Sequence, residues 1–289
     1  MSEPTIEQRS VGRAVDALRV CFSARAPLVV AAGAGMGVDS GLPDFRGPEG
    51  FWRAYPAYAH LQLRFEDLAD PHWFADDPAL AWGFYGHRQN LYRATEPHAG
   101  FSVLRAWCAR AGSHAVFTSN VDGAFTKAGF ADDAIVEVHG AIGTMQCTTG
   151  QHGLWPAGQA SIDVDEQTFR ARPPFPVCPT CGALARPNIL MFGDSRWDDS
   201  RTDAQLARFN DRLGSVNKDA PLVVVECGAG THIPTVRGFC HTLLRRFANA
   251  TLVRINVRES ASDDPRQAPR VVPVAAGARA ALLAIDAAL

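Results

Sequence analysis

The sequence contains no run approaching the roughly 20 apolar residues that a membrane-crossing helix requires. Its opening, MSEPTIEQRS, lacks the charged-then-apolar pattern of a secretory leader. Charge of one sign is also lacking. The formal net charge is -2, which leaves no broad basic surface for nucleic acid. The cysteine count is 7, an odd number in a chain of 289 residues that needs no covalent staples. That argues against a disulfide framework and for a metal site or free thiols. There is no internal repeat and no low-complexity tract. These absences lead to the expectation of a cytoplasmic protein whose partners include neither membrane nor nucleic acid. What remains is ordinary globular material, 47% hydrophobic and 20% charged, ample to bury a core.

Five short apolar runs, rich in β-branched residues, read as buried strands: Leu28 to Ala31, Ala115 to Thr118, Ile135 to Val138, Leu222 to Val225 and Leu252 to Ile255. Helical patterns lie between them, over Val11 to Ala24, Gly100 to Ala111 and Thr235 to Phe247. The stretch Asp263 to Pro273 reads as a surface turn before a last short strand and a helix from Gly277 to Leu289. Alternating strands and helices predict a parallel sheet covered on both faces. Two segments interrupt the rhythm. Residues 47–97 hold Trp52, Trp73, Trp82, Phe84 and Tyr85 and read as a helical insertion. Residues 142–188 hold three cysteines and much Gly and Pro, and read as a small loop-rich module.

In open parallel sheets, ligands bind beyond the carboxyl ends of the strands. Here those ends share a character. The first strand runs into Gly33, Ala34 and Gly35, and the second into Ser119, Asn120 and Asp122. The third ends at His139-Gly140, the fourth meets Gly228, Ala229, Gly230 and Thr231, and the fifth ends at Asn256. Small and polar groups along one sheet edge suit a nucleotide, because glycines let backbone N–H groups approach phosphates. The residues after Gly35 exclude a dehydrogenase. Pro43 stops any helix early, and no second strand with a ribose-binding acid appears about 20 residues on.

From Gly33-Ala34-Gly35 through Ser40-Gly41-Leu42-Pro43-Asp44-Phe45-Arg46, the chain resembles the NAD loop of the sirtuin family. Ser119-Asn120-Val121-Asp122 resembles that family's second motif, and Val138-His139-Gly140 its catalytic histidine motif. Cys178-Pro179-Thr180-Cys181-Gly182 and Arg186 to Asp194 are similar to half a zinc ribbon and the substrate loop after it. Gly228 to Pro234 and Ile255-Asn256 are similar to the late nucleotide-binding segments. The motifs fall in family order from residue 28 to 257. The fold implied is α/β, one catalytic domain over 1–289, with a Rossmann-like parallel sheet, a smaller helical insertion and a zinc-ribbon-like insertion.

The resemblance implies an NAD-dependent lysine deacylase acting on an acyl-lysine protein or peptide. Gly33, Ala34, Gly35, Asp44, Phe45, Arg46, Gly228, Ala229, Gly230, Thr231 and Asn256 would hold NAD, with Ser119 lining its pocket. Asn120 and Asp122 would grip the nicotinamide amide and the ribose. As nicotinamide leaves, the acyl oxygen takes its place on the ribose carbon. His139, as general base, would take a proton from a ribose hydroxyl, which then attacks the acyl carbon. Once the lysine amine leaves and one water adds to the acyl carbon, the products are free lysine, nicotinamide and acyl-ADP-ribose. Phe192 and Gly193 would border the incoming acyl-lysine.

Three departures from the family pattern carry information. The family usually has Ser where this chain has Gly37, and Gln where it has Ser119. NAD hydrolysis, ADP-ribosyl transfer or NAD sensing with little turnover therefore stand as alternatives. The first cysteine pair of the ribbon should begin at Cys147, yet the residue three later is Gly150. His152 is the nearby substitute, so a site of Cys147, His152, Cys178 and Cys181 holding zinc stands beside a degenerate ribbon with free thiols. Finally, Tyr85-Gly86-His87-Arg88 resembles the Tyr-x-x-Arg of sirtuins that remove succinyl and malonyl groups. The same residues would also suit an ordinary helix from Ala79 to Arg93, with Tyr85 in the core and Arg88 solvated.

Overall fold

A computed structural model describes residues 6–43, 51, 55, 56, 62–150 and 152–289 of the chain. Among these, six strands form a parallel sheet: β1 (Pro27–Ala32), β2 (Ser113–Thr118), β3 (Ile135–Glu137), β7 (Leu222–Cys227), β8 (Ala250–Ile255) and β9 (Val271–Val274). Their spatial order is β3-β2-β1-β7-β8-β9. The chain starts in the middle, builds outward to β3, then returns past β1 to build the other half. The strand order therefore reverses between β1 and β7, which is where such sheets open a crevice for a ligand.

Burial follows the strand period of two. In β1, Leu28, Val30 and Ala32 enter one core while Val29 and Ala31 enter the other. Helices α1 (Ile6–Ser23), α3 (Ala99–Arg110) and α6 (Ala278–Ala288) cover the first face. Helices α4 (Ser200–Gly214) and α5 (Thr235–Arg246) cover the second. Continuous apolar strands such as LVVVEC in β7 are what a sheet buried on both faces demands.

Between β3 and β7 lies a second, antiparallel sheet of β5 (Trp155–Pro156), β4 (Gly140–Cys147) and β6 (Ala185–Ile189), in the order β5-β4-β6. Helix α2 (Pro78–Ala94) packs against it. Asp77 caps α2 by accepting from the Leu80 N–H at 3.2 Å, with Pro78 in its first turn. The helix and the small sheet share a third core, in which Phe74, Trp82, Phe84 and Tyr85 meet Ile142, Met145, Ala185 and Ile189. Trp82 binds the sheet through its indole N–H, which donates to the Ala185 carbonyl at 3.2 Å. No helix among the described residues is long and apolar enough to cross a membrane.

Candidate active site

The reversal point is built from two glycine loops in direct contact. The Gly33 N–H donates to the Cys227 carbonyl at 3.0 Å, and the Gly35 N–H to the Gly228 carbonyl at 3.0 Å. Gly228 has a φ of 63°, in the left-handed region. These loops floor a cavity of about 790 Å³ between the parallel sheet and the two smaller elements. Gly33, Ala34, Gly228, Ala229, Gly230 and Thr231 line it, as do Gly37 and Ser119, two of the departures from the family pattern. Gly35 is spent on the loop-to-loop hydrogen bond and does not line the cavity. Asp44, Phe45 and Arg46 lie outside the described residues.

Asn120 enters the cavity from the end of β2 and is fixed on both sides. Its Nδ2 donates to the Gly33 carbonyl at 3.0 Å, and its backbone N–H to Thr118 Oγ1 at 3.0 Å. Thr118 in turn donates to the Ala32 carbonyl at 3.0 Å, so the ends of β1 and β2 are tied through one polar chain. Asp122 lines the same wall, its Oδ1 accepting from the Ala124 N–H at 2.9 Å. Burial pushes its carboxyl up to about 6, and the backbone hydrogen bond from Ala124 opposes the rise.

His139 faces these residues from the end of β3. Its Nε2 lies 3.4 Å from Thr235 Oγ1 at the start of α5. Burial lowers its basicity below the usual value near 6.5, and a backbone hydrogen bond at Ser119 restores part of it. The imidazole is therefore neutral at physiological pH and able to accept a proton. The next residue explains why histidine and glycine come together. Gly140 has a φ of 76°, and a Cβ there would fall 2.0 Å from the Asn188 carbonyl oxygen. That close approach lets the His139 carbonyl accept from the Leu190 N–H at 3.0 Å.

The segment Leu190 to Asp194 forms the far wall, with Phe192 and Gly193 lining the cavity. It is locked by a buried pair in which Arg186 donates to both carboxylate oxygens of Asp194, at 2.7 and 2.8 Å. Tyr85 and Arg88 also line the cavity, from α2. Arg88 is not solvated: it is buried, with its guanidinium 5.1 Å from the Phe84 ring centre and its Nε donating to Tyr92 Oη at 3.0 Å. The hydroxyl of Tyr85 has no hydrogen-bond partner among the described residues, and burial pushes its pKa up so that it stays protonated. A buried, unsatisfied hydroxyl beside a guanidinium at a cavity wall suits a ligand oxygen.

Asn256 stands one layer behind the cavity. Its Nδ2 donates to the Ala229 carbonyl at 2.9 Å, and its Oδ1 accepts from the Arg258 and Glu259 N–H groups at 3.0 Å each. It sets the course of two segments that do line the cavity, 228–231 and 258–259. Arg258, Glu259, Tyr92 and Glu66 also line it and carried no sequence signal, and His232 lines it from within the Gly228 to Pro234 segment. Thr231 Oγ1 donates to Glu259 Oε1 at 2.7 Å, which binds the two segments together.

Outside the cavity, Cys147, His152, Cys178 and Cys181 converge, with their donor atoms all within 4.8 Å of one another. The Cys147 and Cys181 sulfurs are 3.7 Å apart, and His152 Nδ1 lies 3.3 Å from Cys178 Sγ. Zinc bound tetrahedrally at about 2.3 Å from sulfur would place two sulfurs about 3.8 Å apart. The donor set and its spacing fit a structural zinc, with His152 standing where a fourth cysteine is absent. Cys147 ends β4 and the Cys178–Cys181 turn leads into β6, so the metal would clasp the two strands at one end.

A sequence model of the Sir2 family matches residues 33–211. The chain is 32% identical over 237 residues to NAD-dependent protein deacylase 2 of Pyrobaculum aerophilum, covering 81% of this chain and 80% of that one. It is 30% identical over 195 residues to the mitochondrial NAD-dependent protein deacylase sirtuin-5 of Danio rerio, covering 62% of this chain and 61% of that one. It is 34% identical over 174 residues to the NAD-dependent protein deacylase of Thermococcus kodakarensis, covering 59% and 62%. The alignments thus span about three-fifths of the latter two relatives. In fold, the chain is similar to a Sir2 homologue in complex with NAD, with a TM-score of 0.68, 21% identity and coverage of 96% and 93%. It is also similar to a mutant Sir2 homologue in complex with ADP-ribose, with a TM-score of 0.69, 21% identity and coverage of 94% and 95%.

Proposed function

Because this chain belongs to the Sir2 family, we propose that its cavity takes NAD and an acyl-lysine side chain together and removes the acyl group, with a preference for acidic acyl groups. One observation carries the reading. The glycine loops of the reversal point, the trio Asn120, Asp122 and His139, and the pair Tyr85 and Arg88 all line a single cavity. Three chemistries are then in reach of one another: a dinucleotide seat, a neutral base and a carboxylate receptor.

The geometry supports the following division of work. Gly33, Ala34 and Gly228 to Thr231 bring main chain up to the pyrophosphate. Asn120 and Asp122, rigidly held, orient the nicotinamide riboside. NAD supplies the leaving group, nicotinamide, and the ribose hydroxyls. His139 accepts the hydroxyl proton at Nε2 or Nδ1, which its lowered basicity leaves free to do at neutral pH. Phe192 and the apolar walls exclude water, so that the acyl group rather than solvent is the acceptor. Arg88 and the Tyr85 hydroxyl receive the distal carboxylate of a succinyl or malonyl group.

Incubation with NAD and matched acetyl, succinyl and malonyl lysine peptides tests this, with mass analysis of both peptide and ribose product. Nicotinamide release should require an acyl peptide, and acidic acyl groups should be favoured by about 10- to 100-fold in kcat/KM. Arg88→Met should abolish that preference mainly by losing the acidic substrates. Nicotinamide release without any acyl peptide would instead make the protein an NAD hydrolase. A parent that prefers acetyl-lysine would reduce Tyr85 and Arg88 to packing.

A further inference from the structure

Two polar side chains reach across the mouth of the cavity from opposite walls. Glu66 belongs to the one-turn helix Phe65–Leu68 on the side of the smaller elements, and His232 to the segment that follows Gly230 on the side of the parallel sheet. His232 Nε2 lies 2.8 Å from Glu66 Oε1. Both residues line the cavity, and the apolar rim around them consists of Leu190, Phe192 and Ile233, each about two-fifths exposed. The wall that carries Glu66 is continuous with the Leu190 to Asp194 segment, because the Phe192 N–H donates to the Ala69 carbonyl at 2.8 Å. A peptide that inserts its acyl-lysine between these walls must therefore meet the Glu66–His232 bridge.

The two ends of the bridge are unequal. The His232 side chain is 79% exposed, whereas that of Glu66 is 31% exposed. The neighbouring carboxylates already have cations or imidazoles of their own on the same wall. Asp67 pairs with Arg64 at 3.1 Å and Asp70 with His72 at 2.7 Å. Glu66 is left with an exposed histidine from the opposite wall, a pairing that is easily exchanged. One exposed imidazole N–H offers a carboxylate a single contact, where a guanidinium offers a two-pronged one.

We propose that Glu66 is a specificity-determining residue that receives a basic side chain of the substrate next to the acyl-lysine, and that His232 occupies its place until the peptide arrives. The inference rests on the deacylase reading, since it assumes a peptide in the cleft. Binding of an arginine or lysine flanking the modified residue replaces the histidine on Glu66. His232 is then free to swing out to solvent, and the bridge across the mouth opens in the same event.

The test uses one acyl-lysine peptide made in three versions, with Arg, Ala or Glu at the flanking positions, assayed on the full chain with NAD by nicotinamide release. The parent should favour the Arg version over the Ala version by about 5- to 20-fold in kcat/KM, mainly through KM, as expected for one charge-assisted contact. Glu66→Gln, which keeps the shape and removes the charge, should bring that ratio near one. His232→Ala should keep the ratio and lower KM for every version, because the placeholder is gone. Fluorescence anisotropy of the labelled peptides without NAD gives the affinity ratios independently of turnover. Equal affinity for the Arg and Ala versions, or a ratio unmoved in Glu66→Gln, would overturn the inference while leaving deacylation intact. If no peptide bound and nicotinamide release ignored them all, the deacylase reading itself would fall.

Discussion

Gly228 is packed so tightly against Gly35 that a Cβ on Gly228 would sit 2.3 Å from the Gly35 carbonyl carbon. The contact joins the ends of β1 and β7 across the point where the sheet reverses its order. Gly228→Ala should therefore be costly twice over, through the clash and through its positive φ. We expect a loss of about 2–4 kcal/mol in unfolding free energy together with loss of NAD binding. Denaturant melts with and without NAD check both. A variant of parental stability would mean that the loops can move apart freely.

His139 should separate binding from turnover. Its position at the cavity wall and its lowered basicity suit the proposed role of proton acceptor rather than anchor. His139→Ala should bind NAD within a few-fold of the parent and lose acyl transfer by about 10²-fold or more. In the parent, the rate should rise with pH as the imidazole loses its proton, and level off above a value lower than 6.5. A flat profile through that range would assign the base elsewhere.

Asp122 gives a signature in stability. Its carboxyl titrates near 6 in the folded chain against 3.8 as the ordinary value, so the folded state holds a proton that the unfolded state releases. Stability from this group is complete below about pH 4, falls as pH rises through about 6, and is constant above. Asp122→Asn keeps an acceptor for the Ala124 N–H but carries no charge. It should gain about 1–2 kcal/mol on the parent at pH 7 compared with pH 4. Urea melts at the two pH values measure the difference, and an offset identical at both would contradict the burial of that charge.

The Cys147, His152, Cys178 and Cys181 cluster should hold about one zinc per chain and act on stability alone. Elemental analysis of purified protein measures the metal. Cys178→Ser should lose it and lower Tm, whereas His152→Cys should retain it, since a four-cysteine set suits the same tetrahedron. Metal-free protein of full thermal stability would identify the cluster as vestigial.

Much of the parallel sheet is legible in the sequence because burial on both faces forces continuous apolar runs. The first run predicts a strand over Leu28 to Ala31, and Pro27–Ala32 is found. The helix Ser200–Gly214 is amphipathic in its spacing but contains no apolar run of this kind. Its stripe of Leu206, Phe209 and Leu213 has helical spacing, but the rest of its inner face is polar. Thr202 and Gln205 are buried because they bond the main chain of Glu137, each at 3.0 Å, a role that no hydrophobic pattern announces. The same reason hides the antiparallel sheet. Its strands GAIGTMQC and ARPNI contain glycine and proline and few β-branched residues, and are held by pairing with each other. In the site, small and polar residues at strand ends can be read from sequence, because strand ends are where ligands gather. Glu66 and Tyr92 cannot. Only the packing of α2 and the adjoining loops decides which of many surface polar groups turn toward one cavity.

The junction at His139 has a consequence for how this architecture can change. The last residue of β3 is Glu137 and the first of β4 is Gly140, so only two residues, one of them the proposed base, separate the large sheet from the small one. The return strand β6 lies against the same spot, its end residue Ile189 in register with Gly140. The module that carries the Cys147, His152, Cys178 and Cys181 cluster is thus not a cassette joined by a tether. Excising it and bridging the gap would remove the backbone against which His139 is seated, and grafting a foreign module would require that the graft rebuild one wall of the reaction chamber.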